Sequence, residues 1–153
     1  MKIILSTRNP SKAEQIKAMF VGSPFQILTL TEAGIEGEAV EDGITLQENA
    51  LKKARFAYEL SDRGGWTMAD DTGLFINHLN GAPGIKAARW AGDNATTDEI
   101  TQHTLKQLEG ASDRSAKFET VVAMVSPEGK EHYFCGQVNG SILEAPRTRP
   151  QPK

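Results

Sequence analysis

The sequence predicts an α/β fold, and three observations carry that expectation. A short, nearly continuous apolar run opens the chain, Lys2-Ile-Ile-Leu-Ser6, the mark of a strand buried on both faces. A helical stretch and a second strand-like run follow it, so the chain begins β-α-β. Two alternating runs later on, residues 118–126 and 132–138, add paired antiparallel strands to that mixed order. At 153 residues the chain is about one domain's worth, and a core of that size buries roughly 68–70% of the unfolded surface.

The elements follow from local signals. After the first strand, Thr-Arg-Asn-Pro-Ser-Lys12 leads into a helix expected over residues 13–20. Pro10 suits its first turn, and Asn9 or Ser11 can cap it. Residues 25–30 read as the second strand. Residues 31–43 form a loop that carries Glu32, Glu36, Glu38, Glu41 and Asp42 and no basic residue. The clearest helix spans residues 45–60, where Thr45 and Glu48 fit the T-x-x-E capping box. Gly64-Gly65 breaks the chain, and residues 66–70 read as a strand running on through 71–77. Asn80-Gly81 and Pro83-Gly84 signal turns. Residues 97–109 look helical with Thr97 as the cap, and Pro127-Glu-Gly129 makes a hairpin turn. One domain is expected over residues 1–145. Three of the seven prolines (Pro146, Pro150, Pro152) fall after it, so residues 146–153 read as a loop or disordered tail.

Composition excludes several classes. Seventeen Lys and Arg against twenty Asp and Glu leave a net charge of −3, which argues against a protein that coats a nucleic-acid polymer. The 39% hydrophobic content is too high for disorder and too scattered for a membrane span. Only three apolar residues follow Lys2, so neither a signal peptide nor a targeting helix is expected, and a soluble cytoplasmic protein is the reading. The single cysteine, Cys135, has no internal disulfide partner and reads as a small buried hydrophobe in a strand. His78, His103 and His132 lack ligand spacing, so no zinc cage is expected.

Three groups of residues could carry chemistry. Arg8 and Lys12 stand at a helix N-terminus, where a cation is unfavourable by roughly 0.3–1 kcal/mol unless an anion joins it. Either an anion binds there or both side chains are simply solvated. The G-x-x-x-x-G-K pattern of a P-loop is missing. Lys53 lies within an apolar helical stripe. With Leu46 at zero on a wheel of ~100° per residue, Ala50 falls at about +40°, Lys53 at about −20° and Ala57 at about +20°. Asn49 flanks that face. Lys53 either lays its stem on the core with its head in water, or reaches a phosphate past its small neighbours. The third group is acidic: Glu41 in the loop, and Asp70-Asp71 at a strand end. Carboxylates of this kind suit Mg²⁺, which takes one or two of them and completes its shell with water and substrate phosphates. Neighbours on a regular strand face opposite ways, so a shared Asp70–Asp71 site calls for a bend, which Gly73 would permit.

The order of these segments is more specific than any one of them. Ser6-Thr-Arg-Asn-Pro-Ser-Lys12-Ala-Glu14 comes first, then Glu41-Asp-Gly-Ile-Thr-Leu-Gln-Glu-Asn-Ala50-Leu-Lys-Lys-Ala54. Ala69-Asp-Asp-Thr-Gly-Leu74, Asn80-Gly-Ala-Pro-Gly84, Ala88-Arg89 and the spaced pair Gly136 and Gly140 follow. Together they resemble the inosine triphosphate pyrophosphatase family, over Lys2 to about Ile142. The resemblance implies an elongated, twisted mixed sheet flanked by helices, in two lobes with a central nucleotide cleft. It implies Mg²⁺-dependent hydrolysis of ITP, XTP and dITP to the monophosphate and pyrophosphate, commonly by a homodimer. It places Thr7, Asn9, Lys12, Lys53 and Thr72 on the nucleoside triphosphate, Glu41 and Asp70 on Mg²⁺, and Asp71 on the attacking water. The resemblance leaves Arg8 open as a further phosphate contact and does not fix its role. The family's G-F-G-Y-D-P and Ser-His-Arg segments, which recognise the base, do not occur in these 153 residues. The expectation is therefore weak selectivity among bases. A nucleotide-binding or oligomerisation module without catalysis is the competing reading.

Overall fold

A computed structural model describes residues 1–147. The elements are β1 (Lys2–Leu5), α1 (Pro10–Met19), β2 (Gln26–Thr29), α2 (Leu46–Leu60), β3 (Trp66–Ile76), β4 (Pro83–Gly84), α3 (Thr97–Gln107), β5 (Ser115–Val125) and β6 (Glu131–Ser141). The α/β expectation holds. One six-stranded sheet has the order β2-β1-β3-β5-β6, and β4 pairs with β3. It is mixed: β1 runs parallel to β2 and β3, while β4 is antiparallel to β3. The described residues pack as two compact units, Met1–Asp71 with Thr120–Gly136, and Thr72–Glu119 with those from Gln137 to Arg147. No helix among the described residues is long and apolar enough to cross a membrane.

In the first unit β1 lies between two parallel neighbours, with Leu5 opposite Thr29 on one side and Met68 on the other. Parallel pairing requires crossovers, and α1 and α2 supply them. That explains the continuous apolar run of β1, since both faces are covered. Ile3, Leu5 and Met68 pack with Ala13 and Ile16 of α1. Ile4 packs the other way, with Leu30, Ile35 and Ala57 of α2. Each large aliphatic side chain buried in this manner contributes roughly 1.5–3 kcal/mol. Thr67 ties β3 to α2, its hydroxyl donating to the Ala54 carbonyl at 2.9 Å.

The caps set where the helices begin. α1 starts at Pro10, earlier than residue 13, because Asn9 accepts from the Lys12 N–H at 3.2 Å and Pro10 needs no partner in the first turn. At α2 the Thr45 hydroxyl accepts from the Glu48 N–H as expected. The Glu48 carboxylate, however, accepts from the N–H of Ile44 instead of Thr45. Gly65 is required by close approach: a Cβ there would lie 2.5 Å from the Lys2 carbonyl oxygen.

In the second unit, Asn80 and Gly81 turn the chain with left-handed φ of 53° and 88°. The cap of α3 is Thr96, one position before the expected Thr97, in a full capping box with Glu99. Trp90 meets His103 edge-on, ring centroids 5.1 Å apart.

Strands β5 and β6 are both longer than their alternation suggests, and Gly129 (φ 86°) forms the turn between them. Cys135 is exposed, which corrects the expectation of a buried hydrophobe. Its strand is outermost in the sheet order, and almost all of β6 is solvent-accessible among the described residues. The expected tail at residues 146–153 lies, past Arg147, outside the described residues.

Candidate functional site

The site is assembled where β1 ends beside the middle of its parallel neighbour β3. The Ser6 N–H donates to the Met68 carbonyl at 2.7 Å, so the exit of β1 and residues Asp70 and Asp71 of β3 are adjacent. In α/β sheets ligands bind outside the carboxyl ends of parallel strands. From the β1 exit, Thr7 accepts from the Asn9 N–H at 3.1 Å, and Asn9 caps α1. One turn into α1, Lys12 pairs with the Asp70 carboxylate at 2.9 Å.

Lys53 is the centre of the arrangement. The wheel places it in the apolar stripe of α2, and the structure finds its side chain only 16% exposed. Its head meets protein groups. It donates to the main-chain oxygen of Asp70 at 2.6 Å, pairs with Glu41 at 2.8 Å, and lies 3.9 Å from the Asp71 carboxylate. β3 continues through both Asp70 and Asp71. Alternation sends Asp70 toward Lys12 of α1 and Asp71 toward Lys53 of α2. Lys53 joins the two by taking a backbone oxygen of one and facing the side chain of the other.

Burial pushes the Asp71 carboxyl above its ordinary range; Lys53 and Asn49 draw it back down, while Glu41 pushes it further up. Asn49 is the residue that the sequence did not single out as part of the site. It is buried in α2, accepts from the Gly43 N–H at 2.8 Å, and hydrogen-bonds Asp71. A polar residue flanking Lys53 on the core side was its only local signal. Thr72 continues β3 beyond Asp71, half-buried, at the start of the second unit.

Arg8 is engaged within the protein. Its guanidinium donates to the carbonyls of Ile35 and Gly37 and to the Thr31 hydroxyl. The acidic loop is also held by lysines: Glu32 pairs with Lys17 and Asp42 with Lys52.

Among the described residues no three of His, Cys, Asp and Glu converge as a metal cage. Glu41 and Asp70 offer hard carboxylate oxygens without nitrogen or sulfur. That donor set fits a hard divalent cation such as Mg²⁺, which draws the rest of its shell from water and substrate.

Carboxylates and lysines gathered where β1 ends beside β3 define an α/β protein with a charged site of the kind that handles a polyanion. The family model described as the Ham1 family matches residues 3–151, and the chain belongs to that family. A dITP/XTP pyrophosphatase of Thermoanaerobacter sp. (strain X514) is 48% identical over 149 residues, covering 96% of this chain and 74% of the relative. Another, from Caldanaerobacter subterraneus subsp. tengcongensis, is 42% identical over 146 residues, 94% of this chain and 72% of that protein. A HAM1 protein from Coxiella burnetii superposes with a TM-score of 0.82 at 35% identity, over 96% of this chain and 75% of the other. The nucleoside-triphosphatase / dITP/XTP pyrophosphatase of Mycobacterium abscessus gives 0.76 at 34% identity, over 97% and 78%.

Proposed function

We propose that this chain is a nucleoside triphosphate pyrophosphatase that hydrolyses dITP, XTP and ITP to the monophosphate and pyrophosphate with Mg²⁺. The observation that carries the reading is Lys53 gathering Glu41, Asp71 and the Asp70 carbonyl beside the Lys12–Asp70 pair. Relatives bearing the dITP/XTP pyrophosphatase name support the substrate class.

A triphosphate brings about four negative charges to a protein that is itself acidic, so cations must meet it before water can attack. In this reading Lys12, the capped start of α1 with Thr7 and Asn9, and Lys53 receive the phosphates. Thr72 is assigned to the substrate on the family resemblance alone. Glu41 and Asp70 would hold the Mg²⁺. When bound, the cation supplies positive charge at the phosphate oxygens, where negative charge builds as pyrophosphate leaves. Asp71 takes one proton from a water that attacks the α-phosphorus in line. The α–β anhydride bond breaks, pyrophosphate departs, and Asp71 returns its proton to solvent. An elevated carboxyl suits this role, because a base works best with affinity for the proton near working pH.

Incubation with dITP, XTP or ITP in Mg²⁺ is expected to release pyrophosphate and monophosphate. Orthophosphate as the product, or turnover unaffected by chelator, would defeat the mechanism. Nucleotide binding without turnover would mark the non-catalytic module instead. On the family resemblance the reading includes a homodimer and a cytoplasmic location, checked by sedimentation velocity and cell fractionation.

A further inference from the structure

We infer that Arg8 is a positioning residue: it tethers the loop that presents Glu41, and so sets how readily the site takes its divalent cation. The inference rests on the function proposed above. Arg8 sits between Thr7 and Asn9 at the entry to α1, where a cation next to free helix N–H groups invites an anion. Its donors are used within the protein instead. Nε donates to the Gly37 carbonyl at 2.9 Å, and Nη2 to the same oxygen at 2.6 Å and to the Ile35 carbonyl at 2.7 Å. Nη1 donates to the Thr31 hydroxyl at 3.2 Å. A guanidinium has five N–H groups, so these four bonds leave little for a phosphate. The partners are carbonyls and a hydroxyl, although the loop offers five carboxylates. The contact therefore reads backbone geometry as well as charge.

What it fixes is the approach to Glu41. Ile35 is buried in the α2-side core, and Gly37 adopts a left-handed φ of 81°, in a turn whose carbonyl meets the guanidinium. On the far side of Glu41, Asn49 accepts from the Gly43 N–H at 2.8 Å. Glu41 lies between these two anchors, one from α1's entry and one from α2, and its carboxylate pairs with Lys53 at 2.8 Å. Loss of the Arg8 anchor frees residues 38–41 from one end while leaving Lys12, Lys53 and both aspartates in place. Groups that orient a metal ligand typically alter metal affinity by about 10–100-fold when removed.

The test compares the whole protein with Arg8→Ala and with Arg8→Lys, whose single ammonium cannot span the same partners. Three quantities are read: amide hydrogen exchange of residues 35–41, the Mg²⁺ concentration for half-maximal turnover, and binding of a non-hydrolysable triphosphate analogue in chelator. For Arg8→Ala we expect faster exchange in the loop, a metal midpoint raised about 10–100-fold, kcat recovered at saturating Mg²⁺, and unchanged analogue binding in chelator. Arg8→Lys is expected to fall between, and it serves as the variant if the alanine protein does not fold. Unchanged loop exchange would overturn the inference. So would an analogue affinity that drops in chelator, which is the mark of a phosphate ligand. A wild-type protein that releases no pyrophosphate defeats the proposed function alone, and the loop exchange still decides the tether.

Discussion

Lys53 donates to the main-chain oxygen of Asp70 at 2.6 Å, while the carboxylate of the same residue pairs with Lys12 at 2.9 Å. One aspartate is thus held from two helices by the two lysines proposed to receive phosphate. A metal can claim the Asp70 carboxylate only when Lys12 finds another anion, and the triphosphate supplies one. Metal and nucleotide are then expected to bind cooperatively, each weakly alone.

Lys12→Met tests this coupling directly. Without its partner, Asp70 is expected to bind Mn²⁺ or Mg²⁺ in the absence of nucleotide about tenfold more tightly, within the usual range of such couplings. KM for the triphosphate is expected to rise at the same time. Calorimetric titration of metal alone reads the first effect, and a decrease in metal affinity would refute it.

The carboxylates separate by phenotype. Glu41→Gln and Asp70→Asn are expected to raise the Mg²⁺ concentration needed for activity. Asp71→Asn is expected to lower kcat by roughly 10²–10⁴-fold with nucleotide binding largely kept, since the amide has the shape but takes no proton. Equal shifts in metal midpoint for all three variants would show the roles wrongly divided.

Asp71 also leaves a signature in pH. Its folded carboxyl binds the proton more tightly than the unfolded one, because burial penalises the charge. Its contribution to stability is therefore present below the unfolded value near 3.9 and is lost as pH rises through the folded value. At neutral pH the ionised group is a net cost. Asp71→Asn is expected to raise Tm at pH 7, with the gain narrowing toward pH 4. Activity of the wild type is expected to fall in acid at a pH above the ordinary carboxylate range, because the base must be ionised.

Gly65→Ala is expected to destabilise by about 1–3 kcal/mol, since the new Cβ meets a strand carbonyl that cannot withdraw. Gly136→Ala, which meets nothing within 4 Å, is expected to stay within about 0.5 kcal/mol. Denaturant midpoints of the two variants check the contrast.

Local chemistry was readable in the sequence and long-range partnership was not. Pro10 and Thr45 announced their helices because caps act over three or four residues, and the 3.6-residue period put Lys53 on the core side of α2. The wheel gave its direction but not its partners. The carbonyls that Arg8 takes lie 27 and 29 residues away, and no periodicity encodes such a distance. Cys135 misled for a related reason: its strand has the pattern of a packed one, but burial depends on which strands flank it in the sheet. Asn49 escaped because a buried polar side chain is informative only once its hydrogen bonds are known.

The unbroken course of β3 makes the division of labour between Asp70 and Asp71 a matter of parity. Over its first six residues, Trp66, Met68 and Asp70 meet α1, while Thr67 and Asp71 meet α2. Deleting a single residue between Trp66 and Asp70 would preserve both carboxylates, both lysines and the net charge, yet exchange the partners of the two acids. A substitution scan, which keeps the count of residues fixed, is blind to that property. Insertions and deletions, rarely tried in strands, are the experiments that would expose it.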